Sequence, residues 1–158
     1  MWDKLDARGR AMQETALTIK PLANFIYRAM QVGVLLIAAG TILGGVWADY
    51  SWGRFWGWDP KEVWALIALL CYLIPLHARY TGWVGDFGLA VCSVVCFASV
   101  VMAWYGVNFV LGAGLHSYGF GNGDDTWIYL AGLVNISLVA HAALRRLGCE
   151  TSAGPAPA

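Results

Sequence analysis

Charge is scarce in this chain: of 158 residues, 13% are Asp, Glu, Lys or Arg, against 59% hydrophobic. An ordinary soluble domain carries about 25% charged residues. The ten basic and ten acidic residues cancel, so no basic field draws nucleic acid, which is excluded as a partner. Cysteine is also sparse: Cys71, Cys92, Cys96 and Cys149 form no CxxC pair. Without that spacing no dithiol motif is indicated, and cysteine in an apolar run is usually a small buried hydrophobe. The first 20 residues are too polar for a secretory signal peptide, so the first apolar helix is expected to remain as an anchor. No internal repeat occurs, and the length suits one domain.

Long apolar stretches are what the chain does have. No Asp, Glu, Lys or Arg lies between Gln31 and Trp47, and between Phe87 and Gly123 the single Asp, Glu, Lys, Arg or His is His116. Runs of about 20 mostly apolar residues read as transmembrane helices. The expected fold is all-α, a polytopic membrane helix bundle of four spans at 25–47, 62–79, 86–110 and 126–144. Residues 1–24 read as a cytoplasmic N-terminal segment, 25–146 as the transmembrane domain, and 147–158 as a disordered tail. Gly40 with Gly44, and Gly88 with Cys92 and Cys96, repeat small residues every four positions, a pattern suited to close helix packing in lipid. Basic residues set the orientation. Lys4, Arg8, Arg10, Lys20, Arg28, Arg79, Arg145 and Arg146 share one side of a four-span chain, and only Arg54 and Lys61 fall on the other. Both termini are therefore expected in the cytoplasm, with loops 48–61 and 111–125 facing out.

The first of those loops contains "WGRFWGWDP". Asp59, Pro60 and Glu62 have a local explanation: an N-cap, a proline at the first helical position, and the third-position acid of a capping box. Trp58, before the cap, could staple onto Val63. Trp47, Trp52, Trp56, Trp58 and Trp64 fall within 18 residues, more than an interfacial belt needs. Gly53 and Gly57 let backbone approach a ligand closely, and indole faces offer rigid area for stacking. Arg54 and Lys61 can meet carboxylates. A flat ring system with carboxylate arms describes haem; a plain aromatic belt or a partner-docking surface fits the same residues.

Haem iron takes histidine as an axial ligand, and the chain has His77, His116 and His141. His116, in "GAGLHSYGFG", faces the same side as the tryptophans by the topology above; it reads as an axial ligand or as a plain loop histidine. His77 lies about 22 Å into a span crossing about 30 Å of hydrocarbon. An ionisable group there is a candidate for function, and Pro75 beside it frees the carbonyl of Cys71. His141 is expected to snorkel toward the interface beside Arg145. Only His116 stands on the outer face, so a second outer ligand would come from elsewhere.

"WGRFWGWDPKEVWALIALLCYLIPLHARY" and "YGVNFVLGAGLHSYGFG" resemble the C-terminal half of CcsA/ResC-type cytochrome c biogenesis proteins, within the haem-handling superfamily that has a WWD motif. The resemblance runs from about Leu22 to Arg146. The CcmC-type haem-delivery proteins share the tryptophan loop but lack the "DPKEVW" continuation and the HSYG loop. The resemblance implies a membrane subunit of a System II cytochrome c synthase that exports haem b and presents it for attachment to apocytochrome c. It implies a CcsB/ResB-like membrane partner and a thioredoxin-like thiol reductant. The expected location is a bacterial inner membrane, or a thylakoid with the loop in its lumen. It further implies that Trp52, Gly53, Arg54, Trp56, Gly57, Trp58, Asp59, Glu62 and Trp64 lie against haem, with His116 and His77 as iron ligands. Family members carry further upstream helices with another outer histidine, so this chain alone is not expected to complete either bis-histidine site or act as a complete enzyme. The alternatives are a non-enzymatic haem chaperone and a fragment inactive alone.

Overall fold

The computed structural model describes residues 7–116 and 126–152, and every regular element among them is helical. Helix α1 is Ala7–Trp52, α2 Pro60–Tyr80, α3 Asp86–Val101 and α4 Thr126–Ser152. Helix α3 continues as a π-helical segment, Met102–Leu111. Four stretches are long and apolar enough to cross a membrane: Gln13–Trp52, Pro60–Tyr80, Asp86–Leu111 and Thr126–Gly148. The chain is thus an all-α integral membrane protein. It forms two compact units, Met1–Tyr118 and Gly119–Ala158.

In the first unit α1, α2 and α3 pack together around Met30, Leu76 and Leu89, with Ile26, Tyr27, Val34, Tyr72 and Val84 against them. Most large apolar side chains, Leu35, Leu36 and Ile74 among them, point outward. Lipid is as apolar as leucine, so such residues need no protein partner there. Of the small-residue row on α3, Cys96 meets α2, its Sγ donating to the Cys71 carbonyl at 3.2 Å, and Tyr72 Oη donates to the Ser93 carbonyl nearby. That cysteine contact has a sequence cause. Pro75 has no N–H for the carbonyl four residues before it, and the thiol takes its place. Gly40 and Gly44 differ from expectation, since nothing lies within 4 Å of a Cβ built on either. The close approach falls on Gly45, against the Phe55 ring.

Helix ends depart from the hydropathy boundaries in both directions. Helix α1 begins at Ala7, far before position 25, and contains Pro21. Its early residues, rich in Ala, Arg, Met, Gln and Leu, are good helix formers; charge limits what enters lipid, not what coils. It also runs past Trp47 to Trp52, which shortens the expected loop to residues 53–59. The link from α2 to α3 turns at Gly82, φ +79°, and is tied by an Arg79–Asp86 ion pair. Helix α4 extends to Ser152, so residues 147–152 of the expected disordered tail are helical, and residues 153–158 lie outside the described residues. Nothing in "LGCETS" breaks a helix as the following Gly-Pro would.

Candidate functional site

Gly53 ends α1 in the left-handed region at φ +69°, its N–H donating to the Asp49 carbonyl at 2.9 Å. Glycine is the residue that takes this conformation without strain. The chain then folds back, with Phe55 lying on Gly45 and the Arg54 guanidinium occupying the space where a Cβ on Gly57 would stand. Trp58 takes φ +57°, uncommon for a residue with a Cβ. Glu62 holds this tight path, its Oε2 accepting from Gly57 N at 2.8 Å and Asp59 N at 3.1 Å. Asp59 completes a capping box on α2, with Lys61 N donating to its Oδ1 at 3.1 Å.

The second oxygen of Asp59 reaches across to the loop after the π-helical segment. Leu115 N donates to Oδ2 at 2.6 Å, over 56 residues of sequence separation. Gly114, φ +94°, makes this approach possible, because a Cβ there would collide with the Asp59 carboxylate. Next in the chain is His116. Its Nδ1 lies 3.2 Å from Asp59 Oδ1, near enough to pair when the ring is protonated. The atom is sealed from solvent, and its direction does not make it a hydrogen bond. The side chain keeps 18% exposure, which must fall on its other atoms. Trp52 stands edge-on to the imidazole, ring centres 4.7 Å apart, and Trp47 packs on the other side of Trp52 at 5.0 Å. A further strut joins the same regions: Lys61 Nζ donates to Asn108 Oδ1 at 3.2 Å. Asn108 lies in the π-helical segment, a form that occurs disproportionately at functional sites.

Asp59 is 5% exposed. Burial pushes its pKa up, but the Lys61 and Leu115 N–H groups and His116 outweigh that, and its carboxyl is held below the ordinary value.

The structure therefore brings Trp52, Asp59 and His116 into one cluster where the two loops meet. Trp56 and Trp58 form a separate perpendicular pair, ring centres 5.9 Å apart. The four indoles of these two groups stand edge-to-face, not as one flat floor. Trp58 is 71% exposed, and Trp64 is half-buried in the first turns of α2. Arg54 is turned onto its own loop, while the carboxylates of Asp59 and Glu62 are taken up by backbone N–H groups. His77 sits apart from the cluster. It occupies the last turn of α2, about 27 Å along the helix from Asp59. There it is exposed, with Nδ1 2.8 Å from the Leu73 carbonyl. His141 lies on the exposed surface of α4 near Arg145. Residues 117–125, the remainder of the second loop, lie outside the described residues. Among the described residues no three His, Cys, Asp or Glu side chains gather as a metal-ion site; axial haem ligation by one protein histidine needs no such group.

Sequence reading missed Gly114, Leu115 and Asn108. The glycine pair in "GAGLH" was a usable signal, since glycine beside a candidate ligand marks a close backbone approach. Asn108 gave none.

Residues 4–116 match the family described as Cytochrome C assembly protein. The "Cytochrome c biogenesis protein CcsA" of Prochlorococcus marinus (strain NATL1A) is 46% identical over 100 residues, 63% of this chain and 31% of that protein. The protein of that name from Gloeobacter violaceus is 44% identical over 117 residues, 73% of this chain and 34% of its own length. For Nostoc punctiforme the identity is 48% over 100 residues, 63% and 28% of the two chains. The matched region spans about a third of the length of these curated relatives.

Proposed function

Because this chain belongs to the cytochrome c assembly protein family, we propose that it is a membrane subunit of a cytochrome c synthase that binds haem b beside its tryptophan loop. The observation carrying this reading is the meeting of the two loops at Trp52, Asp59 and His116. The residues fit a haem: Nδ1 of His116 is buried 3.2 Å from the Asp59 carboxylate, so the ring's remaining exposure is available to iron. Haem supplies the iron that accepts an imidazole and the vinyl groups to which the thiols of an apocytochrome add. His116 would hold the iron, Trp52 would fix the imidazole plane, and the exposed Trp58 with Trp56 would offer apolar contact at the edge of the site. Arg54, once turned off Gly57, and Lys61 are the cations on the outer loops for the propionates.

A second iron ligand would come from a CcsB/ResB-like partner, which would close the site around the haem. Apocytochrome c, kept reduced by a thioredoxin-like protein, is the acceptor. His77 at the far end of α2 is a separate loading point on the route across a bacterial inner membrane. The bond of its Nδ1 to the Leu73 carbonyl leaves Nε2 as the ligating nitrogen, as metal-binding histidines are commonly arranged.

Haem titration of the full chain in lipid nanodiscs tests this. Wild type takes up haem with a single protein axial ligand, and added imidazole converts it to a six-coordinate low-spin spectrum. His116→Ala abolishes the outer component, and His77→Ala leaves that component intact. An outer-site spectrum indifferent to His116→Ala overturns the proposal. Haem binding without cytochrome c maturation, when partner and acceptor are co-produced, assigns the chain to haem carriage instead.

A further inference from the structure

We infer that Asp59 is a positioning residue for His116, holding both the loop and the imidazole so that Nε2 faces the iron; this rests on the haem reading above. A helix N-cap normally serves its own helix. Here one oxygen faces both the Lys61 N–H at 3.1 Å and His116 Nδ1 at 3.2 Å, while the other accepts from Leu115 N at 2.6 Å. The side chain is 5% exposed, so water does not compete for these contacts. The residue before Leu115 is a glycine whose missing Cβ gives the carboxylate its room. One carboxylate thus holds the backbone next to His116 and stands beside its ring.

The chemistry follows from hydrogen-bond types. An ionised carboxylate only accepts, so it selects the tautomer with the proton on Nδ1 and the lone pair on Nε2. The orphaned Nδ1 lies 3.2 Å from Oδ1, within reach of that bond, and such contacts often tighten when the ligand arrives. A carboxylate behind a ligating histidine fixes its orientation and raises its basicity.

Asparagine at this position separates positioning from capping. Asn is as good an N-cap as Asp, yet its amide must replace one oxygen with an NH2 donor. Facing Oδ1's place, the NH2 opposes both the Lys61 N–H and the Nδ1–H tautomer; facing Oδ2's place, it keeps the cap and confronts the Leu115 N–H. Either orientation removes one of the two contacts that place His116, and neither leaves a charged acceptor at its Nδ1.

The test compares imidazole with 1-methylimidazole, which has no N–H, as replacement ligands in His116→Gly, with and without Asp59→Asn, in nanodisc-embedded full chain. With Asp59 present, imidazole restores the low-spin haem spectrum at lower concentration than 1-methylimidazole. In the Asp59→Asn background, where only a neutral oxygen can face the N–H, that preference narrows. In otherwise wild-type protein, Asp59→Asn weakens haem affinity by about 10–100-fold and raises the haem reduction potential. Gly114→Ala is the companion variant, displacing the carboxylate without changing it, and it also narrows the imidazole preference. Equal losses for both ligands in Asp59→Asn, or an unchanged preference, overturn the inference while leaving haem binding at His116 intact. No outer-site haem in wild type overturns the function itself.

Discussion

Asp59 shows how much one side chain is asked to do at the level of the residue. As an N-cap it is worth about 1 kcal/mol, and it also satisfies a backbone N–H of the distant loop. Asp59→Ala removes the cap and leaves the Leu115 N–H without its acceptor, so it costs about 2 kcal/mol or more. Thermal unfolding followed by helical circular dichroism in detergent measures this. The sign of the pH effect follows from the lowered carboxyl pKa. Folded Asp59 binds its proton less readily than an unfolded carboxylate, which titrates at about 4. Its contribution is therefore fully present above that pH and fades as pH falls through the lower folded value. Melting temperatures of wild type and Asp59→Asn accordingly converge between about pH 5 and pH 2, wild type losing more. A difference that grows on acidification refutes this account. Gly57 carries a second residue-scale constraint. Gly57→Ala forces the Arg54 guanidinium off the loop, and faster tryptic cleavage after Arg54 in the variant reports it.

Among the elements, α2 is defined at one end by a capping box and altered near the other by Pro75. Its Cys71 carbonyl has lost a helical donor and is met by the Cys96 thiol of α3. Cys96→Ala removes that donor and is expected to cost about 0.5–1.5 kcal/mol. In a Pro75→Ala background a backbone N–H returns, so the same Cys96→Ala change becomes nearly silent. A double-mutant cycle measured by denaturant unfolding gives this coupling, and strict additivity would show the two residues to be independent. The π-helical segment plays a comparable part at the outer end. Through Asn108 and Lys61 it ties α2 to the strand of chain that presents His116.

At the scale of the whole molecule, the distribution of basic residues predicts the tryptophan loop outside and the Gly82 turn inside. In a variant with its native cysteines replaced, a cysteine at Trp58 reacts with a membrane-impermeant maleimide added outside intact cells. A cysteine at Trp83, also highly exposed, reacts only after permeabilisation. The reverse pattern inverts the orientation. Four apolar stretches were legible because hydropathy is additive along the chain and needs no partner. The Asp59 cap, Pro60 start and Glu62 brace were legible too, since capping is decided within four residues. Helix ends were less so. The extension of α1 to Trp52 depends on Gly53 and on Phe55 folding onto Gly45, a contact no hydropathy window contains.

By itself, then, the sequence determined a membrane-spanning all-α chain, the start of α2, and the gathering of tryptophans in one loop. These are consequences of local composition and short-range hydrogen bonding. Only the tertiary structure decided which residues stand together. It selected Trp52 as the indole against His116 and let one carboxylate join two loops. Those outcomes depend on contacts over more than fifty residues and on the space left by Gly114, where packing and the demand to satisfy buried polar groups act together.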